Sequence, residues 1–369
     1  MGGQLRVAVT LEQCWHEVPG GTARSALDAV SAMVRHTDLE LIGVSARHRH
    51  PPPPEWQPEI AVRMLPLGRL ALYESWHAMR WPKVERATGP VDVIHATGMA
   101  VPPRSAPLVV TVHDLGFLHQ PDHVTRHGLR FFRRAIDLTR READLITAPS
   151  QATIDDCVAN GFDPSRIRLV PWGIRIEPVE RAEIERVRAA RGLDRPYVLW
   201  TGTIEPRKNL PMLLEAFDRM ELEGLDLVLA GPQGWNERLD RLIGPRLRHR
   251  VRALGFVAPA DLRALYAGAE VFCLPSLREG FGLPVLEAMA QGTPVVTSAG
   301  TATEEVVGEA GLVVDPSDVD GLAHALERVV TDRSLADRLG ALGRARAATF
   351  TWRRTAEALA AVYAEAAAR

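Results

Sequence analysis

Short runs of four to eight mostly apolar residues recur along the chain. Between them lie stretches in which apolar residues return every three or four positions. In the first half the runs are LRVAVTL (5–11), LELIGVS (39–45), AVRMLPL (61–67), DVIHAT (92–97), LVVTVHD (108–114), ADLITAPS (143–150) and RIRLVPW (166–172). Several are nearly continuous in apolar character, which is the mark of parallel strands covered on both faces. Behind the glycine turn PGG (19–21), the pattern from Thr22 to Arg35 predicts a helix.

A charged stretch, RIEPVERAEIERVRAARGLDRP (175–196), separates this series from a second one. Its runs are YVLWTG (197–202), LDLVLAGP (225–232), RVRALGF (250–256), VFCLPS (271–276), PVVTS (294–298) and LVVDP (312–316), with helical patterns such as LPMLLEAFDRM (210–220) and DLRALYAGA (261–269) between them. Strand and helix alternating twice over predict an α/β protein of two doubly wound, Rossmann-like domains, residues 1–174 and 175–350. Chemistry in such sheets sits beyond the carboxyl ends of the strands, so two such domains facing each other would place it in the cleft between them. From 318 onward the pattern is helical, and the amphipathic end (351–369) is expected to dock on a domain. The proline-rich ARHRHPPPPEWQP (46–58) reads as a loop. His48 and His50 within it suit solvent better than a metal.

A length of 369 residues fits two domains, and 46% apolar with 24% charged residues excludes disorder and coiled coil. No run of about 18 apolar residues is present, so no membrane-crossing helix is expected. The first residues lack the pattern of a secretion signal. Three distant cysteines, Cys14, Cys157 and Cys273, give neither a disulfide framework nor a zinc spacing and fit a reducing cytoplasm. A net charge of −2 exerts no global pull toward nucleic acid. Lysine is the informative residue: of 44 basic residues only Lys83 and Lys208 are lysines. Asparagine is equally scarce, so the pair Lys208-Asn209 points to a special position.

Four segments carry candidate chemistry. In EGFGLPVLEAMAQGTPVV (279–296), Glu279 and Glu287 stand eight residues apart around Gly280, Gly282 and Pro284. This is a glycine loop opening a helix, whose backbone N–H groups can meet an anion. The two carboxylates either grip sugar hydroxyls or serve as helix-dipole and solvent partners. In GTIEPRKN (202–209), Asn209 is placed to cap the next helix, and Arg207 and Lys208 leave the same loop. Such a pair suits a diphosphate, Arg as a planar fork and Lys as a point charge. His113 ends the run VVTVHD, and Gly20-Gly21 follow the first strand without the dinucleotide fingerprint. The arginine-rich helix VTRHGLRFFRRAIDLTRREADL (124–145), with Arg126, Arg130, Arg133, Arg134 and Arg140, offers a solvated face or contact with anionic lipid or acceptor.

In this order, GG, VHD, GTIEPRKN and EGFGLPVLEAMAQGTPVV resemble family 4 of the retaining, nucleotide-sugar-dependent glycosyltransferases of GT-B fold. The second half resembles it closely from about 197 to 316. The resemblance implies a C-terminal domain holding the donor nucleotide, an N-terminal domain forming the acceptor pocket, and a last helix crossing back onto the N-terminal domain. It also implies that Glu287 binds the ribose hydroxyls, Arg207 and Lys208 the diphosphate, and Glu279 the transferred sugar. Gly280 belongs to the glycine loop, and Phe281, Gly282 and Leu283 offer backbone N–H groups. His113 would lie against that sugar and Gly21 would approach the phosphates. Many relatives carry arginine where this chain has Thr203, which leaves Arg207 more of the charge.

With no Asp-x-Asp at a strand end of the donor half, Arg207 and Lys208 are expected to replace a divalent metal, and no cofactor is expected. GTIEPRKNL resembles mannosyltransferase-like members, which favours GDP-mannose over a UDP-sugar. The acceptor stays open among a glycan, a lipid-linked sugar and a small molecule, as does peripheral contact with the inner membrane face. A sugar-nucleotide epimerase of the same fold and a non-catalytic sugar-nucleotide-binding protein are the competing readings.

Overall fold

In the computed structural model, which describes residues 4–16, 19–121, 125–220, 222–234 and 239–369, each of the apolar runs contains a strand. Two units result: residues up to Gly173 together with Thr351–Arg369, and Ile174–Phe350.

The first unit holds β1 (Arg6–Thr10), β2 (Glu40–Ser45), β3 (Val62–Met64), β4 (Val93–Ala96), β5 (Leu108–Thr111), β6 (Leu145–Ala148) and β7 (Ile167–Leu169). They form one parallel sheet in the order β3-β2-β1-β4-β5-β6-β7. Alternate residues feed opposite layers, as the pleat requires. Val7, Val9, Val93 and Val109 pack with Val30 and Met33 of helix Gly20–His36, while Ala8, Ile94 and Val110 pack with Leu72 and Trp76 of helix Arg69–Met79. The last helix, Trp352–Ala367, buries Ala356, Leu359, Val362, Tyr363 and Ala366 in the first of these layers. Its Tyr363 hydroxyl meets His95 Nδ1 at 2.7 Å inside the core.

The arginine-rich helix is shorter than its sequence pattern. It runs Arg126–Glu142, opened by Thr125, whose hydroxyl accepts from the Gly128 N–H, and closed where Ala143 turns extended. Val124, the first residue of the expected helix, lies outside the described residues. Arg126, Arg130 and Arg133 are exposed, whereas Arg134 pairs with Glu74 at 3.1 Å and Arg140 with Asp137 at 2.5 Å. The proline-rich loop contains one 3-10 turn, Pro54–Trp56. His48 is not a solvated loop residue: its ring stacks on Trp15 at 4.7 Å and its Nε2 lies 2.9 Å from the buried Glu12 carboxylate.

The second unit holds β8 (Tyr197–Thr201), β9 (Asp226–Ala230), β10 (Val251–Gly255), β11 (Val271–Leu274), β12 (Val295–Ser298) and β13 (Leu312–Val314). They are all parallel, in the order β10-β9-β8-β11-β12-β13. The chain winds outward from β8 to β10, then returns to β11 on the other side of β8. Neighbouring loops after β8 and β11 therefore part at a topological switch point, where open α/β sheets bind ligands. The three cysteines are free and buried. No helix among the described residues is long and apolar enough to cross a membrane.

Candidate active site

The switch point of the second unit gathers the two donor-half motifs. After β8 the chain runs through Gly202 and Thr203 into a 3-10 turn, Pro206–Lys208. After β11 it runs through Ser276, Glu279, Gly280 and Phe281 into helix Leu283–Gln291. Backbone pairing of Leu277 N–H with Arg207 C=O at 2.9 Å joins the two loops.

Four charged side chains meet there. Lys208 Nζ lies 2.6 Å from Glu279 Oε1, and Arg207 reaches Glu279 Oε2 at 2.9 Å with one nitrogen and Glu205 Oε1 at 2.7 Å with another. Ser276 Oγ donates to Glu279 Oε1 at 2.7 Å. Glu279 and Lys208 expose only 7% and 8% of their side chains, so the reading of Glu279 as a solvated residue fails. Burial alone would raise the Glu279 pKa. Lys208 first and Arg207 second outweigh it and hold the carboxyl at about 2, against an ordinary 4.5. Lys208 is pulled below its ordinary value by burial, with Glu279 opposing. Two carboxylates thus balance two cations in a small, nearly dry volume.

Gly202 is required for this packing. Its φ is +145°, and a Cβ there would stand 3.3 Å from Lys208 Cε, because the lysine stem crosses directly above it. Gly282, at φ +95°, precedes the helix, and a Cβ there would lie 2.5 Å from Thr303 Cγ2. Thr203 is half-buried beside Ile204, which bridges Gln233 after β9. Leu283 opens the helix, Pro284 fits its first turn, and Phe281 is buried edge-on against Phe350 at 6.0 Å. One expectation fails. Asn209 makes no capping bond to the helix Leu210–Arg219; it sits in the left-handed region (φ +54°) and its amide donates to Pro316 C=O at 2.9 Å. Pro211, which lacks an N–H, occupies the position whose donor an N-cap usually satisfies.

Glu287 lies one turn into helix Leu283–Gln291 and is half-buried. It hydrogen-bonds the phenol of Tyr266, whose oxygen is also 2.8 Å from Thr201 Oγ1. Burial, then the Glu287 carboxylate, hold the phenol well above its ordinary pKa, so it stays protonated as a donor. Tyr266, Glu205 and Ser276 are the members that sequence reasoning missed. If Glu287 holds the ribose of a nucleotide, as the resemblance implies, Tyr266→Phe releases it and weakens nucleotide binding about fivefold, while costing about 1 kcal/mol of stability. Titration calorimetry and thermal unfolding read the two effects; an unchanged affinity would detach Glu287 from the nucleotide.

The other two candidates belong to the first unit. Gly21 is exposed in the first turn of helix Gly20–His36. His113 follows β5, and its Nε2 lies 2.7 Å from Thr97 C=O, so that nitrogen carries the hydrogen. Burial lowers the His113 pKa, leaving a neutral ring whose Nδ1 lone pair is buried without a partner. His113 and Asp114 line a cavity of about 460 Å³ at this unit's own switch point, with Thr10 at the end of β1, Glu12 and Gln13 after it, and Gly98 and Met99 after β4.

Two parallel α/β sheets of Rossmann type, with paired cations at the switch point of the second, define a protein of the class that binds its ligands beyond the carboxyl ends of parallel strands. More specifically, the chain belongs to the glycosyltransferases, in their group 1 and family 4 branch. The "Glycosyl transferases group 1" model matches residues 182–346 and the "Glycosyltransferase Family 4" model residues 19–178. O-antigen chain mannosyltransferase B of Escherichia coli is 33% identical over 269 residues, covering 70% of this chain and 71% of that protein. The MMP alpha-(1->4)-mannosyltransferase of Mycolicibacterium hassiacum is 32% identical over 307 residues, covering 76% and 72%. Among solved structures, Anabaena Alr3699/HepE in complex with UDP and glucose aligns with a TM-score of 0.79 at 20% identity, covering 98% of this chain and all of that one. The lipopolysaccharide glycosyltransferase WaaG aligns at 0.73 and 18% identity, covering 96% and 98%. These two likenesses speak to the fold.

Proposed function

We propose that this glycosyltransferase moves a hexosyl group from a nucleoside-diphosphate sugar, GDP-mannose ahead of a UDP-sugar, to an acceptor hydroxyl with retention of anomeric configuration. The observation that carries the reading is the Glu205-Arg207-Lys208-Glu279 cluster at the β8/β11 switch point, buried except for part of Arg207. The mannosyltransferase names of the two relatives support the choice of donor.

The chemical problem is charge. The diphosphate departs as an anion while the sugar becomes oxocarbenium-like, and cations already held in place stabilise that separation without reorganising. Arg207 and Lys208 hold the diphosphate and take the place of a divalent metal. Glu287 takes the ribose diol, and Glu279 passes from its cations to the hydroxyls of the transferred sugar. N–H groups of the Gly280–Leu283 loop face the developing negative charge. A leaving phosphate oxygen accepts the acceptor proton on the face where the new bond forms, so no protein nucleophile is needed. His113, neutral and fixed by its bond to Thr97 C=O, lies against that sugar.

Thermal unfolding with UDP, GDP and ADP, each with and without EDTA, tests the donor. A nucleotide at about 100 times its dissociation constant adds about 2.7 kcal/mol. GDP is expected to give the largest shift and to keep it in EDTA. A flat response to all three would sink the proposal. NMR of the anomeric proton in the product then reads retention directly.

A further inference from the structure

We propose that the cavity of the first unit is an acceptor subsite selective for an uncharged sugar, the terminal residue of a glycan, whose apolar ring face lies on an aromatic wall, and that it rejects phosphate-bearing acceptors. This rests on the transferase reading and adds to it the chemical class of the acceptor.

The wall is built first. Phe131 stacks on His77 at 4.3 Å and on Tyr73 at 5.7 Å, and Phe132 stacks on Phe117 at 4.8 Å. Phe117, Phe131 and Phe132 all line the cavity, as do Tyr73 and Trp76. Ring faces carry a negative quadrupole that attracts the C–H groups of a pyranose while leaving its hydroxyls free at the edge. A volume of about 460 Å³ lies within the range of small-ligand sites.

The opposite requirement, hydrogen bonding, is met by acceptors more than by cations. Glu12, Glu74 and Asp114 line the same space, and the described lining residues include neither lysine nor arginine. Glu12 is buried, its carboxyl fixed beside the cavity by the Ala46 N–H at 2.7 Å and by His48 at 2.9 Å. Arg134 lies close by but is already paired with Glu74 at 3.1 Å, and His127 stands 3.5 Å from the same carboxylate. His16 adds no positive charge at neutral pH, since burial first and then Arg69 hold its pKa at about 4; Arg69 itself stands near this end of the cavity but outside the residues that line it. Hydroxyls donate well to such carboxylates, whereas a phosphate dianion entering here meets like charge. His113 lines this cavity too, so a sugar held on the wall brings its hydroxyl to the residue assigned to the transferred hexose.

Saturation-transfer NMR on the full chain tests this with the methyl glycosides of mannose, glucose and galactose and with their phosphomonoesters, each with and without saturating GDP or UDP. At least one neutral glycoside should bind, and its phosphomonoester should bind about tenfold or more weakly. Phe131→Ala should abolish neutral binding while the nucleotide-induced melting shift persists. Glu74→Gln, at a side chain 42% exposed and so safe for folding, should narrow the gap between the two ligand forms. Three results overturn the assignment: a phosphomonoester that binds as well as its parent, neutral binding indifferent to Phe131→Ala, or no neutral binding in protein that still responds to nucleotide. A wild type that ignores every nucleotide would count instead against the transferase reading, and the sugar arms run without nucleotide would still decide the subsite.

Discussion

Lys208→Ala is expected to lower transfer about 100- to 1,000-fold with the fold intact. Removing one preorganised charge from a transition-state site typically costs about 3–4 kcal/mol, which sets that range. Folding survives because Glu279 is not orphaned: Arg207 stays at 2.9 Å and Ser276 at 2.7 Å. Lys208→Arg should restore little. The slot above Gly202 fits an unbranched stem and a compact ammonium, and a planar guanidinium would have to displace Arg207 or open the loop. The measurement is the initial rate of sugar transfer, with nucleotide affinity in parallel and circular dichroism as the folding control. A rate within about threefold of wild type would remove Lys208 from the diphosphate site.

Why Lys208, Arg207 and Glu279 could be singled out from sequence, and Glu205, Ser276 and Tyr266 could not, follows from what each signal depends on. Strands such as YVLWT and VFCL declare themselves because a parallel strand buried on both faces leaves no room for polar alternation. The glycine loops and the lysine were legible because backbone close approach and a rare residue leave marks in the sequence itself. Glu205 and Tyr266 left none. Glu205 looks like any loop acid until the 3-10 turn swings Arg207 back onto it at 2.7 Å. Tyr266 reads as the apolar face of an amphipathic helix, and only the packing of helix Pro259–Ala267 brings its hydroxyl to Thr201 and Glu287. Asn209 shows the reverse case, a local rule overruled by tertiary structure: its amide nitrogen donates to the carbonyl of Pro316, more than a hundred residues away, and its side-chain oxygen makes no capping bond.

Glu279→Gln should act on stability more than any other single change in the donor half. It strips the counter-charge from two cations at once and leaves Glu205 alone to face both, and unpairing a buried charge costs about 3–5 kcal/mol. A nucleotide diphosphate brings the missing negative charge, so the melting shift on adding the preferred nucleotide should be larger in the variant than in wild type, even though transfer is lost. Acid titration gives the independent check. Because the folded-state pKa of Glu279 is depressed from 4.5 to about 2, its contribution is fully present above about pH 4.5 and disappears as the pH falls through about 2. The stability gap between wild type and variant should therefore close across that acid window. Urea midpoints measured across the acid range would decide it: a gap that ignores pH would mean that Glu279 holds the site by shape rather than by charge.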